Sequence, residues 1–395
     1  MAAPDAFING LETGALSAEG AATGSVAIEA SVVRTGSYSV KLTPASGAAG
    51  YWEPRQESPA RTLRFYLRVT SLPSTARLLL GTSAAGQANL VLNPSGTVAY
   101  RYATTTIGTS STALTDTATW YQMEVNVGIN GSSIALLRID GTDQVTGDIA
   151  QAASVFGVGT SMFGANDTVA ATYTAYVDDI AGKSGVQADV WVGAGQAVLL
   201  RPTSLSAAGG WVEGDGAGTA GMAAAVATRP PPGLASANET SATNIESPTN
   251  SATDNCDMNM TTYSAAGVGA SDTINAVQAV IRHGEDIAVG TKGGASLIVS
   301  NPTQSPEDTF NYGNDGGAHG AEPGFWYTAI GTAQTSPSVT LGTAPVLRVG
   351  KRTATTRVVC VDFMGIYVDY SPAVTTAVSL PNIQHLPFIP KGRSL

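Results

Sequence analysis

Residues 120–142, WYQMEVNVGINGSSIALLRIDGT, leave few options for the fold. Tyr121, Met123, Val125 and Val127 alternate with Gln122, Glu124 and Asn126. Successive side chains of an extended chain point to opposite faces, so the pattern predicts a strand with one apolar and one polar face. Asn130-Gly131 tolerates positive φ and turns the chain, and residues 134–139 return it to a second turn pair, Asp140-Gly141. The prediction is a β-hairpin begun by Trp120 and Tyr121, with its acids and amides on the polar face or in the turns and no catalytic grouping.

The same alternation recurs before and after the hairpin. In RTGSYSVKL (34–42), Tyr38, Val40 and Leu42 alternate with Ser39 and Lys41. In RTLRFYLRV (61–69), Leu63, Phe65, Leu67 and Val69 share one face, and Arg64, Tyr66 and Arg68 the other. Leu72-Pro73 ends that run, because proline donates nothing to a central ladder. Residues 76–80, 89–92, 97–102 and 172–180 (TYTAYVDDI) complete a first unit without an amphipathic helix, a spacing that predicts a two-sheet sandwich. Gly 45 and Pro 20 with only 13% charged residues could suit disorder, but a mean hydropathy of +0.08 and the repeated apolar runs favour a turn-rich all-β chain.

Beyond residue 185 the character changes. Residues 207–225 are rich in Gly and Ala around Trp211, and Arg229-Pro230-Pro231-Pro232-Gly233 reads as a stiff connector. Strands are predicted at 273–283, where Val277, Ala279 and Ile281 share a face, at 295–300 and at 356–370. The last contains Tyr367-Val368-Asp369, echoing Tyr176-Val177-Asp178. The expected organisation is a tandem of β-sandwich (jelly-roll) domains: 1–185, then 186–375 with a long Gly/Ala/Pro-rich excursion, then an extended C-terminal arm, 376–395. Pro381, Pro387 and Pro390 keep that arm from forming a regular helix. Its Ile383, Leu386, Phe388 and Ile389 are expected to dock on a neighbouring chain in a homo-oligomer.

A net charge of −10 with scattered basic residues argues against nucleic acid. No run of about 18 apolar residues predicts a membrane span. MAAPDAFING lacks the pattern of a secretory signal, so the four Asn-x-Ser/Thr triplets are read as chance and Cys256 and Cys360 as unpaired thiols rather than a bridge.

Five pieces in order, RTGSYSVKL, LRFYLRVTSLP, TWYQMEVNV, LRIDGT and YVDDI, resemble the laminin-G-like, concanavalin-A-like jelly rolls over residues 5–183. That resemblance implies a mostly structural sandwich whose rim loops bind calcium or sugars in some members. Asp140, Asp143, Asp178 and Asp179 could supply calcium oxygens; against that, Asp140 serves its turn and the Asp178-Asp179 pair ends a strand. The closely spaced acidic motif of the fold's glycosidase branch is not found. The wider layout, with an INAV strand and the segment GFWYTAI, resembles virion proteins of tailed phages. It implies a non-enzymatic, peripheral structural component (minor tail, fibre or capsid-surface decoration), made in the host cytoplasm, contacting other virion proteins and contributing to host adhesion. The alternative is a carbohydrate-binding adhesion module acting on a cell-surface glycan.

His283, His319 and His385 are widely separated, with His283 expected at the surface, and no metal or nucleophile spacing joins them. No cofactor is expected. DNCDMN (254–259) matches only a fragment of a calcium loop. Trp211, Trp326 and Tyr327 would stack on sugars if exposed, although in a sandwich such rings more often fill the core.

Overall fold

The computed structural model describes residues 4, 7–12, 14, 16, 20–54, 60–82, 88–127, 133–148, 161–184, 191–213, 219–227, 245–247, 252–285, 292–311, 326–352 and 359–373. Within them the chain is nearly all antiparallel β. The first strands are β1 (Phe7–Asn9), β2 (Gly20–Thr23), β3 (Val26–Glu29), β4 (Ser39–Leu42), β5 (Gly50–Pro54), β6 (Thr62–Ser71), β7 (Arg77–Thr82) and β8 (Ala88–Leu92). Then come β9 (Thr97–Tyr102), β10 (Thr105–Ala113), β11 (Tyr121–Asn126), β12 (Ile134–Ile139), β13 (Thr142–Gly147), β14 (Ser161–Ala165) and β15 (Thr174–Lys183). They form an 8-stranded sheet, β13-β12-β11-β6-β15-β4-β3 with β1 beside β15, and a 7-stranded sheet, β10-β9-β8-β7-β14-β5-β2.

Further along lie β16 (Gln196–Leu200), β17 (Pro202–Ala207), β18 (Val212–Glu213), helix α1 (Met222–Ala227), β19 (Ile245–Ser247), β20 (Asn255–Met260) and β21 (Thr273–Glu285). The chain continues through β22 (Lys292–Ser300), β23 (Asp308–Asn311), β24 (Trp326–Ile330), β25 (Gln334–Thr335), β26 (Val346–Lys351) and β27 (Val359–Ser371). These build a 7-stranded sheet, β18-β19-β27-β21-β24 with β16 and β25 attached, and a 5-stranded sheet, β17-β20-β26-β22-β23. None of the four sheets mixes strands from before and after residue 190.

Each pair of sheets closes on its own core. In the first, the alternating residues Leu63, Phe65, Leu67, Met123 and Val125 meet Trp52, Leu90, Tyr100 and Phe163 from the facing sheet. Phe65 and Phe163 pack edge to face at 5.0 Å between centroids, a favoured aromatic geometry. In the second, Val277, Ile281, Ile366 and Val368 meet Met258, Ile298 and Val349. Trp211 and the α1 residues Met222 and Val226 join that core, so the Gly/Ala-rich stretch carries a short helix.

A third cluster holds the two sandwiches together. Ile8, on the outer side of β1, packs with Ala197, Leu199, Ala276, Val280, Phe363 and Tyr367, which face outward from the second unit's 7-stranded sheet. The molecule is therefore four sheets deep, and both inner sheets are covered on both faces. This corrects the sequence expectation of a half-buried hairpin. Glu124 and Asn126 of the polar face are 2% and 4% exposed, and Arg64 on β6 is 0% exposed; Glu124 meets Gly193 and Arg64 meets Asp369 from beyond residue 190. His283, expected at the surface, is also buried. Trp120 is half-buried and precedes β11 rather than anchoring the core.

Candidate functional site

The acids singled out from the sequence fall in two places. Asp140 takes φ 51° at the β12–β13 turn and accepts the Gln122 backbone N–H at 2.8 Å, the turn role expected of it. Asp143 pairs with Arg138. Asp178 and Asp179 lie on β15 and are fully buried. No group of three or more metal-ligating side chains is gathered among the described residues, and the four acids do not converge. All of DNCDMN after Asp254 lies on strand β20, where Asp257 binds Arg348 through two bonds of 2.6 and 2.8 Å instead of lining a loop.

Asp178 and Asp179 belong to a polar joint between the sandwiches. The β15–β6 register gains one residue between Asp178 and Ala181, and Asp179 sits at φ 50°. Such a bulge re-aims side chains. Here it lets two consecutive carboxylates leave the core side of the strand. Asp179 accepts from the Ala197 N–H and the Thr35 hydroxyl, both at 2.6 Å, and pairs with Arg34. Asp178 accepts from the Arg34 and Asp179 N–H groups at 2.8 Å. Burial, then the adjacent Asp179 charge, pushes the Asp178 carboxyl well above the usual carboxylate range.

Arg64 reaches across the joint to Asp369 on β27 at 2.9 and 3.1 Å, with both side chains at 0% exposure. Burial disfavours the guanidinium charge, but Asp369, Tyr66 and Asp179 outweigh it and hold Arg64 above its ordinary value. Burial likewise pushes Asp369 up, against the pull of Arg64. The two-oxygen contact marks the pair as ionised. The segment 191–195 threads between the units, with Gly193 N–H donating to Glu124 at 2.6 Å. A Cβ on Gly195 would lie 2.1 Å from Arg64 Nη1, so only glycine fits there. Gln278 accepts from Ile8 N–H at 2.8 Å and donates to the Gly331 carbonyl at 2.6 Å. These carboxylates have no path to a substrate; they form a packed joint.

Among the described residues, an accessible groove lies on the opposite, outer face of the first sandwich. Ala88, Leu90, Leu92, Val98 and Tyr100 point into the core, which leaves Asn89, Val91, Ala99 and Arg101 on the outer face of β8 and β9. Leu78 and Val91 floor a groove of about 280 Å³, Ala103 and Thr104 of the β9–β10 turn form one side, and Asp167 and Val169 the other. Asn89 stands directly across from Arg101 in the ladder. Asp167 is committed: it accepts Arg77 Nε at 3.0 Å, Leu78 N–H at 3.2 Å and Val169 N–H at 3.2 Å. Arg77, fully buried, also donates to the carbonyls of Pro44, Ala45, Ala48 and Ala171 and so pins the groove wall to the β4–β5 turn. Arg101 Nε, by contrast, is buried without a hydrogen-bond partner among the described residues.

Trp211 is 1% exposed and unavailable for stacking. Trp326 and Tyr327 begin β24, the edge strand opposite Gly284 and His283. Ile383, Leu386, Phe388 and Ile389 lie outside the described residues, as do His319 and His385. Cys256 is a buried free thiol, its pKa pushed up to about 12 by burial and then by Asp257. Sequence reasoning missed the groove, whose outer-face residues are ordinary for a strand. The one signal was Arg101, a charge in the otherwise uncharged run TVAYRY.

No family model matches the chain, and no curated protein matches it. Among solved structures it is similar to Cip1, a cellulose induced protein, at 13% identity and TM-score 0.35, covering 45% of this chain and 97% of that one. A carbohydrate esterase of the Shiga toxin-encoding bacteriophage phi24B matches at 16% identity and TM-score 0.30, over 45% of this chain and all (100%) of that one. A tandem CBM22 domain of Paenibacillus barcinonensis Xyn10C matches at 10% identity and TM-score 0.23, over 93% and 98%. These are loose likenesses of β-sandwich architecture, and no site residue is carried over from them.

Proposed function

We propose that the chain is a non-enzymatic binding protein that takes a saccharide unit in the groove on the outer face of its first sandwich. The observation that supports this is Arg101, whose Nε is buried at the groove it lines with Asn89 and Thr104 and has no partner among the described residues. Leaving a buried donor unsatisfied costs about 1–3 kcal/mol, and a shift of the Arg101 side chain that lets a ligand oxygen reach it relieves that cost. At about 280 Å³ the groove sits at the small end of ligand sites, which suits one sugar ring of a longer chain. Binding of full-length protein to an array of neutral and acidic polysaccharides tests the reading. We expect retention that is lost in Thr104→Trp, which fills the groove from an exposed turn, and no release of reducing ends from any bound polysaccharide. Absence of retention on every polysaccharide contradicts it.

The second reading places this binding protein at the periphery of a tailed-phage particle, as a minor tail, fibre or capsid-decoration protein. The buried joint favours it, because two sandwiches locked by Arg64–Asp369 hold a fixed spacing between a particle and a ligand. Electron microscopy of purified particles carrying gold-labelled antibody tests that location; unlabelled particles contradict it.

A further inference from the structure

We propose, building on the saccharide reading above, that the groove selects an acidic sugar and that Arg101 receives its carboxylate. Among the described arginines, Arg34, Arg64, Arg77, Arg138, Arg348 and Arg352 each pair with a carboxylate. Arg201 and Arg68 donate to backbone carbonyls, and Arg61 is also engaged. Arg101 makes neither kind of contact among the described residues, yet its Nε is shielded from water. A guanidinium presents parallel N–H groups whose spacing matches the two oxygens of a carboxylate, and this fork is the group's characteristic mode of recognition.

The surroundings agree with an anionic guest. Asp167 is the acid among the groove's lining residues, and its charge is already matched by Arg77. It therefore serves as part of the wall and leaves Arg101 as the unmatched charge. The Thr104 hydroxyl offers a neutral polar group suited to a ring hydroxyl. Leu78 and Val91 supply an apolar floor for the C–H face of a ring. No aromatic platform is present among the lining residues, so selectivity must come from the charged contact and not from stacking.

Titration calorimetry on the full chain separates the possibilities, with trigalacturonate, a neutral galactotriose, and acetate or inorganic phosphate alone as probes. We expect trigalacturonate to bind at least tenfold more tightly than galactotriose, and the simple anions to give no measurable heat at the same concentrations. Arg101→Gln should remove the preference for the acidic trisaccharide, and Arg101→Lys, which keeps charge but loses the fork, should retain only part of it. Thr104→Trp should abolish binding of both sugars, and it decides the location if Arg101→Gln does not fold. Equal binding of the two trisaccharides, or an acidic preference unchanged in Arg101→Gln, overturns the acidic-sugar assignment while leaving saccharide binding standing. Binding of acetate or phosphate as tight as trigalacturonate overturns it in favour of a simple anion site. No binding of either trisaccharide overturns the acidic-sugar assignment, and retention on the polysaccharide array then decides the saccharide reading by itself.

Discussion

At the scale of single residues, two charges set the behaviour of the joint. Arg64 and Asp369 are both withdrawn from water, so removing one leaves the other uncompensated. Arg64→Leu should lower stability by about 3–5 kcal/mol, and the double variant Arg64→Met/Asp369→Leu should recover much of that loss in denaturant titrations. Asp178 has the opposite character. Burial and the neighbouring Asp179 raise its carboxyl, so the folded chain retains a proton that the unfolded chain releases. Its contribution to stability is fully present below the unfolded value of about 3.9 and is lost as pH rises through the higher folded value. Asp178→Asn removes that titration. The stability of the variant relative to the wild type should therefore increase as pH rises above about 4, and a difference that stays flat across thermal melts there would contradict the assignment.

At the scale of elements, the strands were legible and their surroundings were not. The alternations of 61–69 and 121–127 fix which side of β6 and β11 enters the core, and Leu63, Phe65, Met123 and Val125 lie there. The same alternation puts Arg64 and Glu124 on the other side, but periodicity does not say whether that side meets water or another sheet. The repeated Tyr-Val-Asp holds the missing information. Val177 and Val368 point inward in their own cores, while Asp178, Tyr367 and Asp369 face the joint, so both copies mark strands covered on two faces. Trp120 illustrates the limit at a strand end, where the first aromatic of the pattern lies outside the ladder. Trp52 is instead fully buried against Phe163. Trp52→Ala should cost about 3–5 kcal/mol in urea unfolding and Trp120→Ala clearly less; the reverse order would contradict this packing. On β14, Gly164 has φ 117°, and a Cβ there would lie 2.3 Å from the Gly50 carbonyl oxygen. Gly164→Ala should lower stability by about 1–3 kcal/mol or more by straining the β14–β5 pairing.

At the scale of the whole molecule, the four-sheet stack divides the labour. The inner faces of the joint carry a buried ion pair, an apolar cluster and a glycine-tight crossing segment, which bind the sandwiches into one body. That packing leaves the outer sheets to meet other molecules, and the groove beside Arg101 is the described place there where a buried donor awaits a partner. Binding should leave the joint undisturbed, because the ligand and the Arg64–Asp369 pair lie on opposite sides of the first sandwich core. Hydrogen exchange on the full chain, with and without the tightest-binding saccharide of the array, reads this directly. The expected result is slowed exchange confined to β7, β8, β9 and residues 103–104 and 166–171. Protection centred on the joint or on the second sandwich, or none with any saccharide, would contradict binding at the groove.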